Sequence, residues 1–404
     1  MQIIIHRGNG RTAYNLVEIA TETTKIILDC GRDLPLLDCA SSEETIDIPG
    51  LTSGASSYDA VFVVSHHADH ADLAARINPD IPIYINADTK IILDVVSDFT
   101  DSPLHRANKY LEHGRTEQVG GISVLPISVD YSVMGRMILL VEADGKKLLY
   151  TGGFKKIDPA YYAMIGKIDI LLCETANIGG KDDIDIIDVE AYAAGVMRNT
   201  DKSVFVLCSV TDADRVKQIE WACRKSGRNM ALDPFMKSIL EKLTTPLIVD
   251  PFGFIPYIDK ERSPRINKHL KSNRDMDFNE TGFFSSAEIV ARMTNLTFMV
   301  RPSMGDFMTL FNELTPLAGS MLINFLWQGY ENAALTKDFI KLCRSLDMKG
   351  ISIHASDYAY RRQIENVINK LKPEILVPFQ IEGAEIFREM HGNVIEPCDD
   401  VVAI

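Results

Sequence analysis

Three imidazoles and a carboxylate fall within six consecutive positions, Ser65-His66-His67-Ala68-Asp69-His70, directly after the apolar run 60–64. Nitrogen and oxygen donors at that density, at a strand end, suit a borderline cation such as zinc. His67, Asp69 and His70 are the candidate metal ligands. A metal-free reading accounts for the same residues. An Asp accepting backbone N–H groups, flanked by imidazoles, braces a strand–helix junction without any ion.

The elements that must position this turn are short strands. Runs 3–6, 16–20 and 24–29 are β-type segments separated by turn residues. The run before the turn reads as a buried strand, 71–77 as a helix opening and 81–85 as another strand. Segments 122–129, 137–141 and 147–150 predict antiparallel strands, with Asp144-Gly145 as the hairpin turn between the last two. Residues 168–173, apolar but for Asp169, form a run ending at Glu174, which predicts a strand buried on both faces. From about residue 185 the pattern changes: helix-length segments (189–198, 213–225, 235–242) alternate with apolar strands (204–209, 229–232, 297–300, 321–325). That alternation predicts a parallel α/β sheet. The same rhythm resumes through 337–346, 351–354, 360–371 and 375–378.

Composition narrows the class. A chain of 404 residues is long for one core, so two domains are expected, and 46% hydrophobic with 24% charged residues supplies a substantial interior. No apolar run approaches the ~20 residues that span a bilayer, so no membrane association is expected. The opening residues 1–8 read as a strand and a turn rather than a signal peptide. Seven cysteines are scattered without a C-x-x-C pair, the pattern of buried thiols in a reducing cytoplasm. The net charge of −14 disfavours nonspecific binding to nucleic acid. One basic stretch, with Lys260, Arg262, Arg265, Lys268, Lys271 and Arg274, is either a local groove for phosphates or a solvated face.

Several blocks, in order, give the chain a family resemblance. They are Asp29-Cys30-Gly31; His67-Ala68-Asp69-His70; Val129-Asp130-Tyr131-Ser132-Val133; Leu148-Leu149-Tyr150-Thr151-Gly152; Leu172-Cys173-Glu174; Arg301-Pro302-Ser303; Ser352-Ile353-His354-Ala355-Ser356; and Lys372-Pro373 running to Pro378-Phe379-Gln380. Together they resemble the β-CASP branch of the metallo-β-lactamase superfamily, most of all the ribonuclease J-type proteins. The resemblance implies an α/β protein: an αββα metallo-β-lactamase sandwich from 1–175 and 338–404, with a parallel-sheet β-CASP domain inserted at 176–337.

The resemblance also implies two zinc ions that activate water and clamp a phosphodiester. Position by position, the ligands are incomplete. The positions of one zinc read Ser65, His67, Tyr131 and Gly153; those of the other read Asp69, His70, Gly153 and Gln380. A catalytic zinc takes three protein ligands and an open position, and Gly153 offers no donor where the family has a bridging Asp. Tyr131 is expected to fill the cleft with its ring. His66 supplies a replacement imidazole if the register has slipped by one. Neighbouring residues of a strand face opposite ways, however, so His66 and His67 are not expected to share a face. Asp69, Glu174 and His354 match the family's catalytic positions and are read as vestigial. Glu174 and His354 are equally readable as a capping acid and a satisfied core imidazole. Arg301 and Ser303 match a phosphate-binding segment, with an ion-paired interface Arg as the other reading.

The expected function is accordingly a ribonuclease J-like pseudo-nuclease acting as scaffold, regulatory subunit or RNA-binding module. The alternatives are an active phosphodiesterase with a remodelled single-metal site, and a protein-interaction platform in a bacterial multi-protein system. The expected cofactor is none or one weakly bound zinc. The expected partners are RNA or single-stranded nucleic acid and a protein partner or second copy, in the cytoplasm.

Overall fold

The chain was analysed as a computed structural model, which describes residues 1–7, 15–32, 47–100, 106–129, 134–174, 178, 189–209, 211–244, 252–254, 283–284, 286–326, 331, 333–353, 358–379, 385–396 and 401–402. Tyr131, His354, Gln380 and the basic stretch 260–274, with Lys268 and Lys271, lie outside the described residues.

The first sheet holds β1 (Gln2–Arg7), β2 (Leu16–Ala20), β3 (Lys25–Leu28), β4 (Ala60–Val63), β5 (Ile83–Asn86) and β6 (Lys109–Leu111), in that spatial order. The second runs from β7 (Glu117–Val119) through β8 (Ile122–Ser128), β9 (Met137–Ala143), β10 (Lys146–Tyr150) and β11 (Ile170–Glu174) to the later segment Ile375–Phe379. The two sheets pack face to face because their strands alternate strictly. Along β9, Met137, Leu139, Val141 and Ala143 enter the core between the sheets, while Ile138 and Leu140 face the other way. Along β4 and the residue after it, Ala60, Phe62 and Val64 enter the same core, and Val61 and Val63 do not. The outer faces are covered by helices. Leu93 of Ala87–Thr100 packs behind the first sheet; Ile364, Val367, Ile368 and Leu371 of Arg361–Leu371 pack behind the second. This is the αββα arrangement expected from the sequence.

Between β11 and Ile375–Phe379 the chain builds a third sheet. It is parallel throughout, with β12 (Val204–Leu207), β13 (Asn229–Leu232), β14 (Phe252–Phe254), β15 (Phe283–Phe284), β16 (Leu296–Val300), β17 (Met321–Asn324) and β18 (Lys349–Ser352) in the order β15-β14-β13-β16-β12-β17-β18. Helices cover both faces, which is why its central strands read as unbroken apolar runs. One assignment changes. The sequence reading returned the chain to the sandwich at 338, but β18 pairs in parallel with β17 from Met321↔Lys349 to Asn324↔Ser352. The helix before it, Ala334–Ser345, buries Phe339 and Cys343 against the same sheet. A short strand after an amphipathic helix fits either sheet by pattern, and only the pairing decides.

The third sheet is fastened to the sandwich near the histidine turn. Helix Ala87–Thr100 sends Ile92 and Val95 into the core of the third sheet while Leu93 stays with the first. Asp88 Oδ1 accepts from both the N–H and the hydroxyl of Thr244 at 2.7 Å.

The histidine turn is a single helical turn, Ala68–Ala71, wedged against the end of β3. Cys30 N–H donates to His70 O (2.7 Å), Arg32 N–H to Ala68 O (2.9 Å) and Asn15 N–H to Asp69 O (2.9 Å). Two backbones this close leave no room for a side chain: a Cβ on Gly31 would lie 1.7 Å from the carbonyl oxygen of Asp69. Because the obstacle is main chain, it cannot rotate away. Gly31→Ala is expected to destabilise the protein by at least the roughly 1–3 kcal/mol typical of overpacking, read from urea unfolding. An unchanged midpoint would show that this approach is not required.

Candidate functional site

The site is organised by a carboxylate. Asp29 follows β3 in the left-handed region, φ 61°, a conformation that short polar side chains tolerate better than most. Its side chain is fully buried and accepts three hydrogen bonds. Val64 N–H donates to Oδ1 at 2.8 Å, and the Tyr150 hydroxyl and His70 Nδ1 meet Oδ2 at 2.6 Å each. Val64 extends the first sheet, Tyr150 ends β10 of the second, and His70 belongs to the turn. The Asn15 amide lies against the His70 ring, 3.2 Å from Nδ1. Burial alone would lower the pKa of His70, but the carboxylates of Asp29 and Asp69 outweigh it and raise the pKa. Burial first, then Asp29, Asp69 and Glu174, hold the Tyr150 phenol well above its ordinary range. Tyr150 and His70 thus share the Asp29 carboxylate. Glu174 ends β11, is itself buried, and its N–H donates to Thr151 Oγ1 at 2.9 Å.

The other half of the turn faces a cation. β4 stops at Val63, so strand alternation no longer governs the residues beyond it. Contrary to the alternation expectation, the rings of His66 and His67 lie edge to face with centroids 4.7 Å apart. His66 Nε2 is 3.0 Å from the hydroxyl of Thr211, just after β12, and Thr211 O accepts from Met134 N–H at 3.2 Å. His67 Nδ1 lies 3.0 Å from Arg136 Nη2. Arg136 precedes β9, and the next residue is pinned to the turn by Met137 N–H donating to Val64 O at 3.0 Å. Its guanidinium sits over the Tyr358 ring, 5.5 Å from the centroid, and the residue is only 3% exposed. Packing around the two rings, then Arg136 and the neighbouring imidazoles, depress both pKa values. His66 falls to about 3 and His67 well below its usual value, so both are neutral.

A guanidinium only donates, so the bond to Arg136 makes Nδ1 of neutral His67 the acceptor and puts the ring's proton on Nε2. A metal-ligating His has the reverse arrangement: one nitrogen donates to a carboxylate or carbonyl and the other offers its lone pair. His70, backed by Asp29, is arranged that way; His67 is not. At Gly153, a Cβ would meet Tyr358 Cε1 at 2.9 Å and Arg136 Cζ at 3.5 Å, so the bridging-carboxylate position is occupied by a ring and a cation.

Ser65 is fully buried, with its hydroxyl 3.4 Å from His67 N–H. Arg301 donates to Asp233 and lies over Phe235, 4.8 Å from the ring centroid, while Ser303 is exposed. Arg301 thus has the ion-paired surroundings of the second reading. Among the described residues, no set of donors is assembled that would fit a dinuclear zinc centre. Asp69 Oδ1 is buried with no hydrogen-bond partner among the described residues, and Oδ2 is 3.5 Å from His70 Nε2. That makes two donors where a catalytic zinc takes three. No group of three or more His, Cys, Asp or Glu among the described residues is placed to hold a metal ion. Sequence reasoning missed Asn15, Arg136, Thr211 and Tyr358. The available signal for Arg136 was a lone charge in the apolar hairpin entry Met134-Gly135-Arg136-Met137-Ile138.

Comparison with known proteins agrees with this fold. Residues 24–193 match the β-lactamase superfamily domain. The similarity to that superfamily is carried by this stretch, which spans the histidine turn and the strands of both sheets from β3 to β11. The chain is 21% identical over 394 residues to ribonuclease J of Sinorhizobium meliloti, which supports the ribonuclease J-like, β-CASP branch; the match covers 89% of this chain and 64% of that protein. A crystal structure of a protein of unknown function from Enterococcus faecalis V583 superposes with a TM-score of 0.75 at 17% identity, covering 98% of this chain and 97% of the other. That likeness is one of fold. Among the described residues no helix is long and apolar enough to cross a membrane.

Removing the Asp29 carboxylate should leave three buried donors without their acceptor. Asp29→Ala is expected to cost about 3–5 kcal/mol, as when one partner of a buried charged pair is deleted. Tyr150→Phe removes one bond of the three and should cost about 1 kcal/mol. Equilibrium denaturation of the two variants tests the ranking; equal losses would mean that Asp29 is not the centre of the network.

Proposed function

We propose that the chain is a ribonuclease J-like pseudo-nuclease: it holds single-stranded RNA in the cleft beside the histidine turn, as a binding module or non-catalytic subunit, without two-metal hydrolysis. One observation carries this reading. Arg136 donates to His67 Nδ1 at 3.0 Å, which fixes the tautomer unsuited to ligation. The similarity to ribonuclease J supports RNA as the ligand. So does the placement of the turn. Thr211, Asp233, Arg301 and Phe325 follow the carboxyl ends of β12, β13, β16 and β17, the end of an open parallel sheet where ligands bind. Thr211 at that end touches His66. With a net charge of −14, recognition must be local; Lys268 and Lys271 in the stretch 260–274 are its basic candidates.

A single-metal reading has its own observation. Asp69 Oδ1 is buried without a partner among the described residues, next to His70 with Asp29 behind its Nδ1. On this second reading the protein holds one zinc and retains hydrolysis. Elemental analysis of protein purified without chelator separates the two. Stoichiometric zinc that disappears in Asp69→Ala and His70→Ala would favour the second.

The binding prediction is tested by titrating fluorescent single-stranded RNA across a salt series. Weak binding is expected, with log affinity falling against log salt by about 0.7 per phosphate contacted. Lys268→Glu with Lys271→Glu should weaken it, and RNA incubated with added zinc or manganese should stay intact. Cleavage abolished by His67→Ala would overturn the pseudo-nuclease reading. Absence of binding would point instead to a protein-interaction platform.

A further inference from the structure

We infer that the Arg136 guanidinium is the resident cation of the histidine turn, standing in place of a metal ion between His67 and the bridging position, Gly153. This goes beyond RNA binding, because it holds whether or not the cleft takes RNA.

The inference rests on space, anchoring and charge. As to space, the side chain that would bridge two metals has to start at the Gly153 Cβ, 2.9 Å from Tyr358 Cε1 and 3.5 Å from Arg136 Cζ. The region it would enter already holds a ring and a positive charge. As to anchoring, the Arg136 backbone is fixed beside the turn through Met137 N–H and Val64 O (3.0 Å), and its Nη2 donates to His67 Nδ1 (3.0 Å). Its face rests on Tyr358, a cation–π contact. Tyr358 is held in turn, since Ala359 N–H donates to Phe154 O at 2.6 Å. As to charge, Asp29, Asp69 and Glu174 are each at most 1% exposed in this one site. Buried carboxylates persist only when paired or bound to metal. His70 answers Asp29 and Asp69 directly, and Arg136 is the additional buried cation at the same turn. A guanidinium fills this role permanently, as it does not deprotonate in proteins.

The test uses the full-length protein and zinc alone, with affinities from competition against a chromophoric chelator. In the wild type, EDTA and added zinc should both leave Tm unchanged. A fall in Tm on chelation would overturn the inference, and this measurement needs no variant to fold. Gly153→Asp alone supplies a third donor beside Asp69 and His70, but the new carboxylate should pair with Arg136 and zinc affinity should stay at the wild-type level. Adding Arg136→Gln to Gly153→Asp should free that carboxylate and tighten zinc binding roughly tenfold or more, the scale on which groups around a metal tune affinity. If Gly153→Asp alone binds zinc as tightly as the double variant, or if the double variant gains nothing, Arg136 is not what occupies the site.

Discussion

The Asp29 carboxylate is the interaction on which the rest of the structure depends. It ties the end of β4, the end of β10 and the histidine turn to one buried point, with contacts of 2.6–2.8 Å. The carboxylate must leave the backbone at a residue bent into the left-handed region, and the turn must press close enough that only glycine fits at position 31. Tyr150 must end its strand opposite. A buried charge is costly unless every lone pair is answered, so the network specifies one register between the two sheets.

Much of this was legible before any coordinates. The blocks at 29–31, 67–70, 148–152 and 172–174 occur in family order, and their local patterns name strand ends and turns correctly. What pattern could not show were contacts between residues far apart in sequence. Arg136 reaches His67 across 69 positions and His66 reaches Thr211 across 145. Neither partner looks unusual in its own neighbourhood. The prediction that His66 and His67 face apart failed for a local reason: alternation holds only while the strand lasts, and β4 stops at Val63. The assignment of β18 to the sandwich failed because an edge strand of four residues carries too little pattern to choose a sheet.

Arginine and a divalent metal solve the same electrostatic problem with different chemical consequences. Either one compensates buried carboxylates. Only the metal presents open coordination positions at which water is polarised and deprotonated. The guanidinium presents only donors, here to His67 Nδ1, and rests its face on the Tyr358 ring. A site built this way keeps its shape and its charge while offering no ligand position for a nucleophile at His67.

The two halves of the turn differ in a way that follows from their load. His70 and its partner Asp29 hold the two sheets together, so their replacement would cost the fold whatever happened to the metal. The other half of the turn meets the third sheet, where His66 Nε2 lies 3.0 Å from the Thr211 hydroxyl and Thr211 O accepts from Met134 N–H. Around Gly153 the space is taken by the Tyr358 ring and the Arg136 guanidinium. Asp69 and His70 are bound into the fold itself, because their partners Asp29 and the backbone of residues 15 and 30 belong to the core.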